Sequence, residues 1–318
     1  MPSTVNGQPS TAQLLHPRYW PTWLALGLLR MFEPLPFGVL LWLGRRLGDL
    51  LLLLPLSFVR IAQRNLELCF PNMLEAERKR ILRAHFRSVG VGLFETAISW
   101  WSPDDRIRRL TQLEGQEHLQ AALARGRGAI LLSAHFTTLE IGARALCARV
   151  AASIMYRPTS NAVLENFLMR NRGKRAKRAI PRDDIRTLIS ALKNNEPVWY
   201  APDQSYRKKG AEMVPFFGIP AATNTATSRL ARMTGAAVLP YFPERLPGSQ
   251  GYRMIIQPML EDFPSDSAVA DAQRFNASIE EQVRLVPEQY LWIHRRFKGL
   301  TPEYPDYYGK KKGIGDRG

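Results

Sequence analysis

Gly128-Ala-Ile-Leu-Leu-Ser-Ala-His-Phe-Thr-Thr-Leu-Glu140 is the stretch of sequence that decides the fold. Its apolar run, Ala129–Leu132, follows an Arg-Gly-Arg-Gly segment and is typical of a buried strand. Beyond it, leucine and alanine recur at helical spacing, and Thr137 or Thr138 is available as the N-cap. The sequence therefore places His135 where a buried strand ends and a helix begins.

A carboxylate follows this histidine at a spacing that suits acid–base chemistry. Glu140 lies five residues after His135, on the first turns of the predicted helix, and from there it can turn back towards the imidazole. A carboxylate-oriented imidazole can take a proton from an alcohol that attacks an activated acyl group, with no Ser or Cys nucleophile. The spacing also fits a histidine that caps a core element, with Glu140 solvated, so spacing alone does not choose between the two.

Composition limits the classes of protein to consider. The chain has 318 residues, of which 45% are hydrophobic, enough for one large α/β domain or two small ones. Its formal charge of +16 points to an anionic partner, which could be nucleic acid, an anionic membrane surface, or an acidic protein or substrate. The two cysteines, Cys69 and Cys147, have no metal-ligand spacing, which predicts a reduced compartment without disulfides.

The N-terminal part of the chain is unusually apolar. Residues 1–16 are predicted to be flexible, without the pattern of a cleavable signal. Residues 17–60 are predicted to anchor the protein to a membrane, either as one short span or as a hairpin of helices in one leaflet, because interfacial aromatics open the segment. Arg30 and Glu33 interrupt it, so it offers no charge-free window of about 20 residues. The alternative is a pair of buried core helices.

Strands and helices alternate through residues 61–300, the predicted catalytic domain. Strands are predicted at 110–114, 129–132, 152–156, 198–201, 237–241 and 252–257. This pattern predicts an α/β fold with a mixed, largely parallel central sheet flanked by helices. Residues 214–221 are predicted to form a rigid loop, and 301–318 a charged tail that is disordered from Lys310 onward.

Three polar residues follow predicted strands directly. His135, Arg157 and Asp203 each come just after a strand, and the sites of such sheets lie beyond the carboxyl ends of the strands. We therefore expect these three side chains to lie at one rim.

Five motifs in order resemble a known family, the bacterial late lipid A acyltransferases of the glycerolipid acyltransferase superfamily. The resemblance extends from Tyr19 to Lys298. The motifs are His135-x4-Glu140, Tyr156-Arg157-Pro158, Tyr200-Ala-Pro-Asp203-Gln204, Val214-Pro-Phe-Phe-Gly218-x-Pro-Ala221 and Tyr290-Leu-Trp-x-His-Arg-Arg-Phe-Lys298.

The resemblance implies a bacterial inner-membrane enzyme whose active site faces the cytoplasm. It would transfer a fatty acyl chain from acyl carrier protein to a hydroxyl of a Kdo-bearing lipid A precursor. The implied donor is the acyl-phosphopantetheine of the carrier, and neither a metal nor a cofactor bound by the protein itself is expected. The implied partners are the carrier protein, the lipid precursor and the anionic inner membrane, and not nucleic acid.

The resemblance also assigns roles to single residues. His135 becomes the general base and Glu140 its orienting carboxylate. Arg157 would hold a lipid phosphate or the oxyanion, unless it pairs with a structural carboxylate. Asp203 would orient Arg157 or another basic group, unless it only forms a turn after Pro202.

Further basic residues are candidates for anion binding. Phosphate binding is predicted for His294, Arg295 and Arg296, although a place in a packed C-terminal strand fits His294 equally well. Arg170, which opens the basic run Arg170–Arg178, could bind the acidic carrier or lipid head groups, or belong to an inert solvated loop.

Other functions stay open on sequence alone. An acyltransferase for another glycolipid, such as a phosphatidylinositol mannoside, would carry similar motifs. The charge permits a basic nucleic-acid-binding protein, although the basic run lacks interleaved aromatics and such a protein leaves the apolar segment unexplained. A non-catalytic lipid-binding scaffold would not need the intact His-x4-Glu motif.

Overall fold

The computed structural model describes residues 11–309, which are built around a central β-sheet. The helices are α1 (Thr11–Leu14), α2 (Trp20–Phe32), α3 (Phe37–Leu53), α4 (Ser57–Cys69), α5 (Glu75–Trp101), α6 (Asp104–Leu110), α7 (Gln116–Ala124), α8 (Leu139–Cys147), α9 (Ala162–Gly173), α10 (Ile185–Lys193), α11 (Ala226–Thr234) and α12 (Ala268–Leu285). The strands are β1 (Thr111–Glu114), β2 (Ala129–Leu132), β3 (Ser153–Tyr156), β4 (Ala179–Pro181), β5 (Pro197–Tyr200), β6 (Ala211–Phe216), β7 (Ile219–Asn224), β8 (Ala237–Arg245) and β9 (Tyr252–Ile256).

Across the described residues, the sheet has seven strands in the order β1-β9-β8-β2-β5-β3-β4. The five strands from β8 to β4 are parallel, β9 runs antiparallel to β8, and β1 runs parallel to β9. This arrangement confirms the predicted mixed, largely parallel sheet flanked by helices.

The central strands are buried on both faces, as expected when helices cover a parallel sheet. All four residues of β2 and all four of β5 are buried. Along β2, Ile130 and Leu132 pack into one hydrophobic core, whereas Ala129 and Leu131 pack into a second core. Successive side chains of a strand point to opposite faces of the sheet, so β2 contributes to the core on each face.

The predicted rigid loop at residues 214–221 is wrong, because this segment forms the antiparallel hairpin β6–β7. Its two-residue turn, Phe217-Gly218, has positive φ at both positions, as a type I′ hairpin turn requires. Pro215 and Pro220 face each other in the ladder. Proline is tolerated there because each strand of a two-stranded hairpin is an edge strand.

Helix α3 packs very closely on α5, and glycines allow the approach. A Cβ added to Gly48 would lie 2.2 Å from the Phe86 carbonyl oxygen, and one added to Gly90 would lie 2.1 Å from the Gly44 carbonyl oxygen. The backbones of the two helices are therefore in direct contact. Residues 17–60 share hydrophobic cores with the rest of the described chain. Helix α4 is continuous across residues 60 and 61, where the predicted anchoring segment meets the predicted catalytic domain.

The N-terminal helices nevertheless expose apolar side chains. On α2, Trp20, Leu24, Leu28 and Met31 recur at helical spacing and are exposed, while Glu33 turns inward to an ion pair with Arg106 (2.9 Å). On α3, the exposed apolar side chains are Val39, Trp42, Leu50 and Leu53. We call these residues the α2–α3 apolar face. Among residues 11–309, none of the helices combines the length and the apolar character needed to cross a bilayer.

The end of the described chain packs onto the domain. The Tyr308 hydroxyl donates to Asn65 Oδ1 (2.6 Å) and accepts from the Phe297 amide (3.0 Å). These contacts hold residues 301–309 against α4. Residues 1–10 and 310–318, which include the predicted disordered tail, lie outside the described residues.

The glycine contact between α3 and α5 gives a test of the packing. We expect Gly90→Ala to lower the free energy of unfolding by about 1–3 kcal/mol, because the added methyl group meets backbone that cannot move away cheaply. Gly27→Ala in α2 is the control, since its Cβ meets nothing within 4 Å; it should gain up to about 1 kcal/mol from helix propensity. Urea denaturation measures both, and equal stability of the two variants would contradict the close packing.

Candidate active site

Strand register brings His135 and Asp203 together. Leu132 at the end of β2 lies opposite Tyr200 at the end of β5 in their parallel ladder. His135 and Asp203 each follow three residues later. Since the two strands are neighbours, these equal offsets place an imidazole and a carboxylate side by side at the carboxyl rim of the sheet.

Asp203 is tied to this histidine through both carboxylate oxygens. Its Oδ1 lies 2.6 Å from His135 Nδ1, and its Oδ2 accepts from the His135 amide (3.0 Å) and the Tyr290 hydroxyl (3.2 Å). Asp203 is only 3% exposed. A carboxylate at this position keeps the proton on Nδ1, which leaves the Nε2 lone pair for a substrate proton.

His135 and Asp203 shift each other's pKa values. Burial by itself would lower the pKa of His135, but the charge and hydrogen bond of Asp203 outweigh burial and raise that pKa above its usual 6.5. Burial would raise the pKa of Asp203, and the imidazole holds it below its usual value instead. The carboxylate thus stays ionised, and the histidine is a stronger base than a free imidazole.

The loop that carries His135 is clamped by the segment Gln289–Trp292. The Leu291 amide donates to the His135 carbonyl (2.9 Å), and the Thr137 amide donates to the Gln289 carbonyl (2.7 Å). An isolated β-bridge joins Phe136 and Tyr290 between them. The C-terminal motif Tyr290-Leu-Trp therefore fixes the backbone of the catalytic candidate.

A buried ion pair supports this loop from behind. Arg245 at the end of β8 donates to Glu95 of α5 (2.8 Å) and to the Ser88 hydroxyl (2.6 Å). Ser88 in turn shares a hydrogen bond with the Thr137 hydroxyl (2.7 Å). Gln289 closes the network through both backbone groups of Arg245. The His135 loop is thus anchored to two elements of the core.

Glu140 does not contact the imidazole, which corrects the predicted pairing. Its carboxylate accepts from Trp100 Nε1 (3.2 Å) and from Arg172 Nη2 (3.3 Å). The carboxylate that orients the ring is Asp203, because it holds Nδ1 while Glu140 faces α5 and α9 from the first turn of α8. Thr138 is the N-cap of α8, yet its hydroxyl donates to the Pro243 carbonyl (2.9 Å) and not into the helix.

Arg157 follows β3 and lies at the same rim as expected, one strand beyond β5. It is exposed, and it makes no hydrogen bond or ion pair with any residue that the structure describes. Asp203 does not orient it, because that carboxylate is taken by His135 and Tyr290. Arg170 on α9 is exposed in the same way, without a partner in the described chain.

The two C-terminal arginines differ sharply. Arg295 is exposed, with its guanidinium 6.0 Å from the Tyr308 ring centroid. Arg296 is only 2% exposed and donates to the Ala222 carbonyl and the Thr223 hydroxyl (2.9 Å each). The predicted phosphate contact of Arg296 is therefore not supported, because hydrogen bonds inside the protein hold this side chain against β7.

His294 has a structural partner as well. Its Nε2 accepts from the Ser205 amide (3.0 Å), which ties the C-terminal segment to the loop after Asp203. Burial lowers the pKa of His294 to about 4, so the ring is neutral at physiological pH. Within residues 11–309, no group of three or more His, Cys, Asp and Glu side chains is arranged to hold a metal ion.

Sequence reasoning found the general-base candidate but missed its support. The roles of Tyr290 and Gln289, and the network of Glu95, Ser88 and Arg245, depend on contacts between distant parts of the chain. The available signals were the equal offsets of His135 and Asp203 from their strands and the aromatic C-terminal motif. Neither signal is enough to predict which side chains are in contact.

Comparisons with known proteins identify the family to which the chain is similar. The sequence profile described as "Bacterial lipid A biosynthesis acyltransferase" matches residues 8–299. The chain is 42% identical over 300 residues to the lipid A biosynthesis lauroyltransferase of Escherichia coli K12, covering 94% of this chain and 98% of the relative. It is 41% identical to the palmitoleoyltransferase of the same organism, covering 90% and 94% of the two chains. Identity to the myristoyltransferase of that organism is 28%, with coverage of 93% and 92%.

The match covers nearly the whole chain and includes every residue of the site, from the loop of His135 to the clamp at Tyr290. The predicted resemblance is thereby confirmed: the chain belongs to the bacterial lipid A biosynthesis acyltransferase family and is an acyltransferase.

Proposed function

We propose that this acyltransferase moves a fatty acyl chain from acyl carrier protein to a hydroxyl of a Kdo-bearing lipid A precursor, with His135 as general base. The observation that carries the proposal is the 2.6 Å contact between His135 Nδ1 and Asp203 Oδ1. This contact keeps the proton of the neutral ring on Nδ1 and leaves the Nε2 lone pair free. The His135 side chain is 23% exposed, so a substrate can approach it. An oriented base at the rim of the sheet is what attack by an alcohol on a thioester requires.

The reaction needs no covalent enzyme intermediate. His135 Nε2 takes the proton of the acceptor hydroxyl as that oxygen bonds to the thioester carbonyl carbon. The tetrahedral intermediate then expels the thiolate of the phosphopantetheine arm as the carbon–sulfur bond breaks. The imidazolium returns its proton to the thiolate, while the Asp203 carboxylate stabilises the positive ring throughout.

Arg157 is suited to hold the oxyanion or a phosphate of the lipid. Its exposed guanidinium follows β3 at the same rim as His135, and within the described chain no carboxylate neutralises it. Guanidinium groups bind oxyanions through paired, charge-assisted hydrogen bonds. Arg295, also exposed, is a second candidate for a phosphate of the acceptor.

The basic run Arg170–Arg178 fits an acidic carrier protein, although only part of it is free to bind one. Lys177 and Arg178 pair with the buried Glu196 (3.1 and 3.0 Å). Arg170 on α9 and Lys174 directly after α9 remain exposed. The formal charge of +16 would draw an acidic carrier or an anionic lipid surface to the protein.

The α2–α3 apolar face supports binding to the cytoplasmic side of the inner membrane through one leaflet. Eleven of the eighteen large apolar side chains that are exposed in the described residues fall between Leu15 and Leu54. Three of the eleven are tryptophans, and the Arg46 guanidinium lies over the ring of one of them, Trp42 (5.7 Å). A helix with an apolar face and basic flanks is typical of interfacial binding.

Family membership favours a lipid A acceptor over a phosphatidylinositol mannoside or a nucleic acid. The transfer itself is tested with carrier proteins that bear acyl chains of graded length, a tetra-acylated Kdo-bearing precursor, and mass spectrometry of the product. We expect one added acyl group, and His135→Ala should lower kcat by about 10²- to 10⁴-fold while lipid binding persists. Full turnover by the variant would exclude the base, and no product from the wild type with any chain would exclude the proposed substrates.

The pH dependence of kcat in two variants distinguishes the role of Asp203 from that of Glu140. Only deprotonated His135 acts as a base, so activity should rise with pH through its raised pKa. Asp203→Asn removes the charge that raises this pKa, so the acid limb of the kcat–pH profile should move to lower pH as kcat falls about 10²- to 10⁴-fold. Glu140→Gln is the matched control, with the acid limb unmoved. A shift in Glu140→Gln alone would return the orienting role to Glu140.

Membrane binding is tested by a triple variant of the apolar face. Trp20→Ser, Leu24→Ser and Leu28→Ser together should weaken binding to vesicles of anionic phospholipid at least about tenfold, because each side chain loses its transfer energy. A triple serine variant at Leu74, Met233 and Leu285, which are exposed elsewhere, is the control and should bind like the wild type. Cosedimentation measures both, and equal loss in the two variants would contradict the proposed face.

A further inference from the structure

A small polar cavity lies among the loop after β5, the end of β7 and the helices α11 and α12. It has room for about one water-sized group. Two buried carboxylates line it, Asp203 and Asp271, together with hydroxyl and amide side chains. The first of these carboxylates holds His135, and the second takes no part in acyl transfer. The cavity therefore brings a second buried charge close to the active site.

Asp271, in the first turn of α12, is a buried carboxylate whose hydrogen-bond donors are both neutral. Only 1% of the residue is exposed. Its Oδ2 accepts from the Ser228 hydroxyl (2.6 Å), and its Oδ1 accepts from the Ser265 amide (3.0 Å). Within residues 11–309 it forms no ion pair, and the N-terminus of α12 offsets its charge only in part. A buried carboxylate of this kind favours a cation nearby.

Three polar neighbours in the lining have already used their hydrogen-bond donors. The Ser228 hydroxyl donates to the carboxylate on α12, and the Thr225 hydroxyl donates to the Gly210 carbonyl (2.9 Å). Asn276 Nδ2 donates to the Pro215 carbonyl (2.8 Å). Asn276 is only 1% exposed, and its Oδ1 is buried without a partner among the described residues. What these side chains have left to offer is oxygen lone pairs, which suit a cation.

The size and charge of the cavity favour a monovalent cation. Protein oxygen atoms can replace the hydration shell of K⁺. Mg²⁺ usually keeps several of its waters and demands near-octahedral geometry, and a cavity for one water-sized group does not hold those waters. Asp203 already has His135 and Tyr290 as donors, so the charge left to compensate is that of Asp271. One positive charge balances it.

We propose that the cavity binds a monovalent alkali cation through oxygen ligands from Asp271, Asn276, Ser228 and Thr225. The acyl transfer proposed above does not require such an ion, so the site stands apart from that proposal. The ligands belong to α11, to its N-cap and to α12, so a bound cation would hold these two helices together. The ion would also place positive charge beside Asp203, which favours the ionised carboxylate that orients His135.

The site is tested first by the stability of the full-length protein in different salts. KCl and NaCl are compared with choline chloride at equal ionic strength, because the choline cation is too large for the cavity. At least one alkali salt should raise the Tm in a concentration-dependent way. Asp271→Asn and Thr225→Val should each raise the cation concentration needed for half of this effect about tenfold or more.

Thr234→Val is the matched control on α11. Its buried hydroxyl also donates to a backbone carbonyl, that of Leu230 (2.7 Å), but it lies outside the cavity, so the cation dependence should be that of the wild type. Thr225→Val serves if Asp271→Asn does not fold. An equal Tm in the alkali and choline salts, or an equal cation dependence in all variants, would overturn the site. A stronger effect of MgCl₂ at a much lower concentration would overturn its monovalent character.

The position of the ion is tested by X-ray diffraction from crystals grown in RbCl, since Rb⁺ resembles K⁺ and has a usable anomalous signal. We expect an anomalous peak in contact with the Asp271 carboxylate and Asn276 Oδ1, and its loss in Asp271→Asn. A cation-dependent Tm with the peak elsewhere, or with no peak at all, would overturn the assignment to this cavity.

Discussion

The hydrogen bond between His135 and Asp203 is the constraint on which the rest of the site depends. A carboxylate that is almost fully buried is stable only if hydrogen-bond donors compensate its charge. Asp203 has three donors, and His135 supplies two of them, its ring Nδ1 and its backbone amide. The imidazole depends on the carboxylate in turn. The same hydrogen bond keeps the ring proton on Nδ1 and makes Nε2 more basic. Parallel pairing of β2 with β5 makes the bond possible.

The elements around this pair hold it in place. The clamp at Gln289–Trp292 fixes the backbone on one side, and the buried ion pair of Arg245 with Glu95 fixes it on the other. A base that must act at one nitrogen benefits from such rigidity, since small misplacements of reacting atoms are costly in rate. Glu140, on the first turn of α8, accepts from Trp100 and Arg172 and takes no part in holding this pair.

Much of the fold follows from the sequence because its signals are local. The apolar run Ala129–Leu132 is continuous, and it forms a strand with the predicted boundaries. The hairpin β6–β7 was missed because its two prolines argue against a ladder, whereas paired edge strands accept them. Its turn also needs a positive φ at Phe217, which residue type does not reveal.

The site was predicted less completely because its partners are distant in the chain. Chain proximity favoured Glu140 as the partner of His135, but the register of two strands brings in Asp203, 68 residues away. Arg296 looked like a phosphate ligand from its charge alone, and its burial depends on contacts with β7. Motifs thus identify the residues that matter, and tertiary contacts decide what each one touches.

The central claim is tested most directly by NMR titration of the His135 imidazole in the wild type, in Asp203→Asn and in Glu140→Gln. The account predicts a proton on Nδ1 and a pKa above 6.5 in the wild type and in Glu140→Gln, with a lower pKa in Asp203→Asn. His85 and His294, whose pKa values burial lowers to about 4, should titrate well apart from it. A His135 pKa that falls in Glu140→Gln and is unchanged in Asp203→Asn would contradict the account.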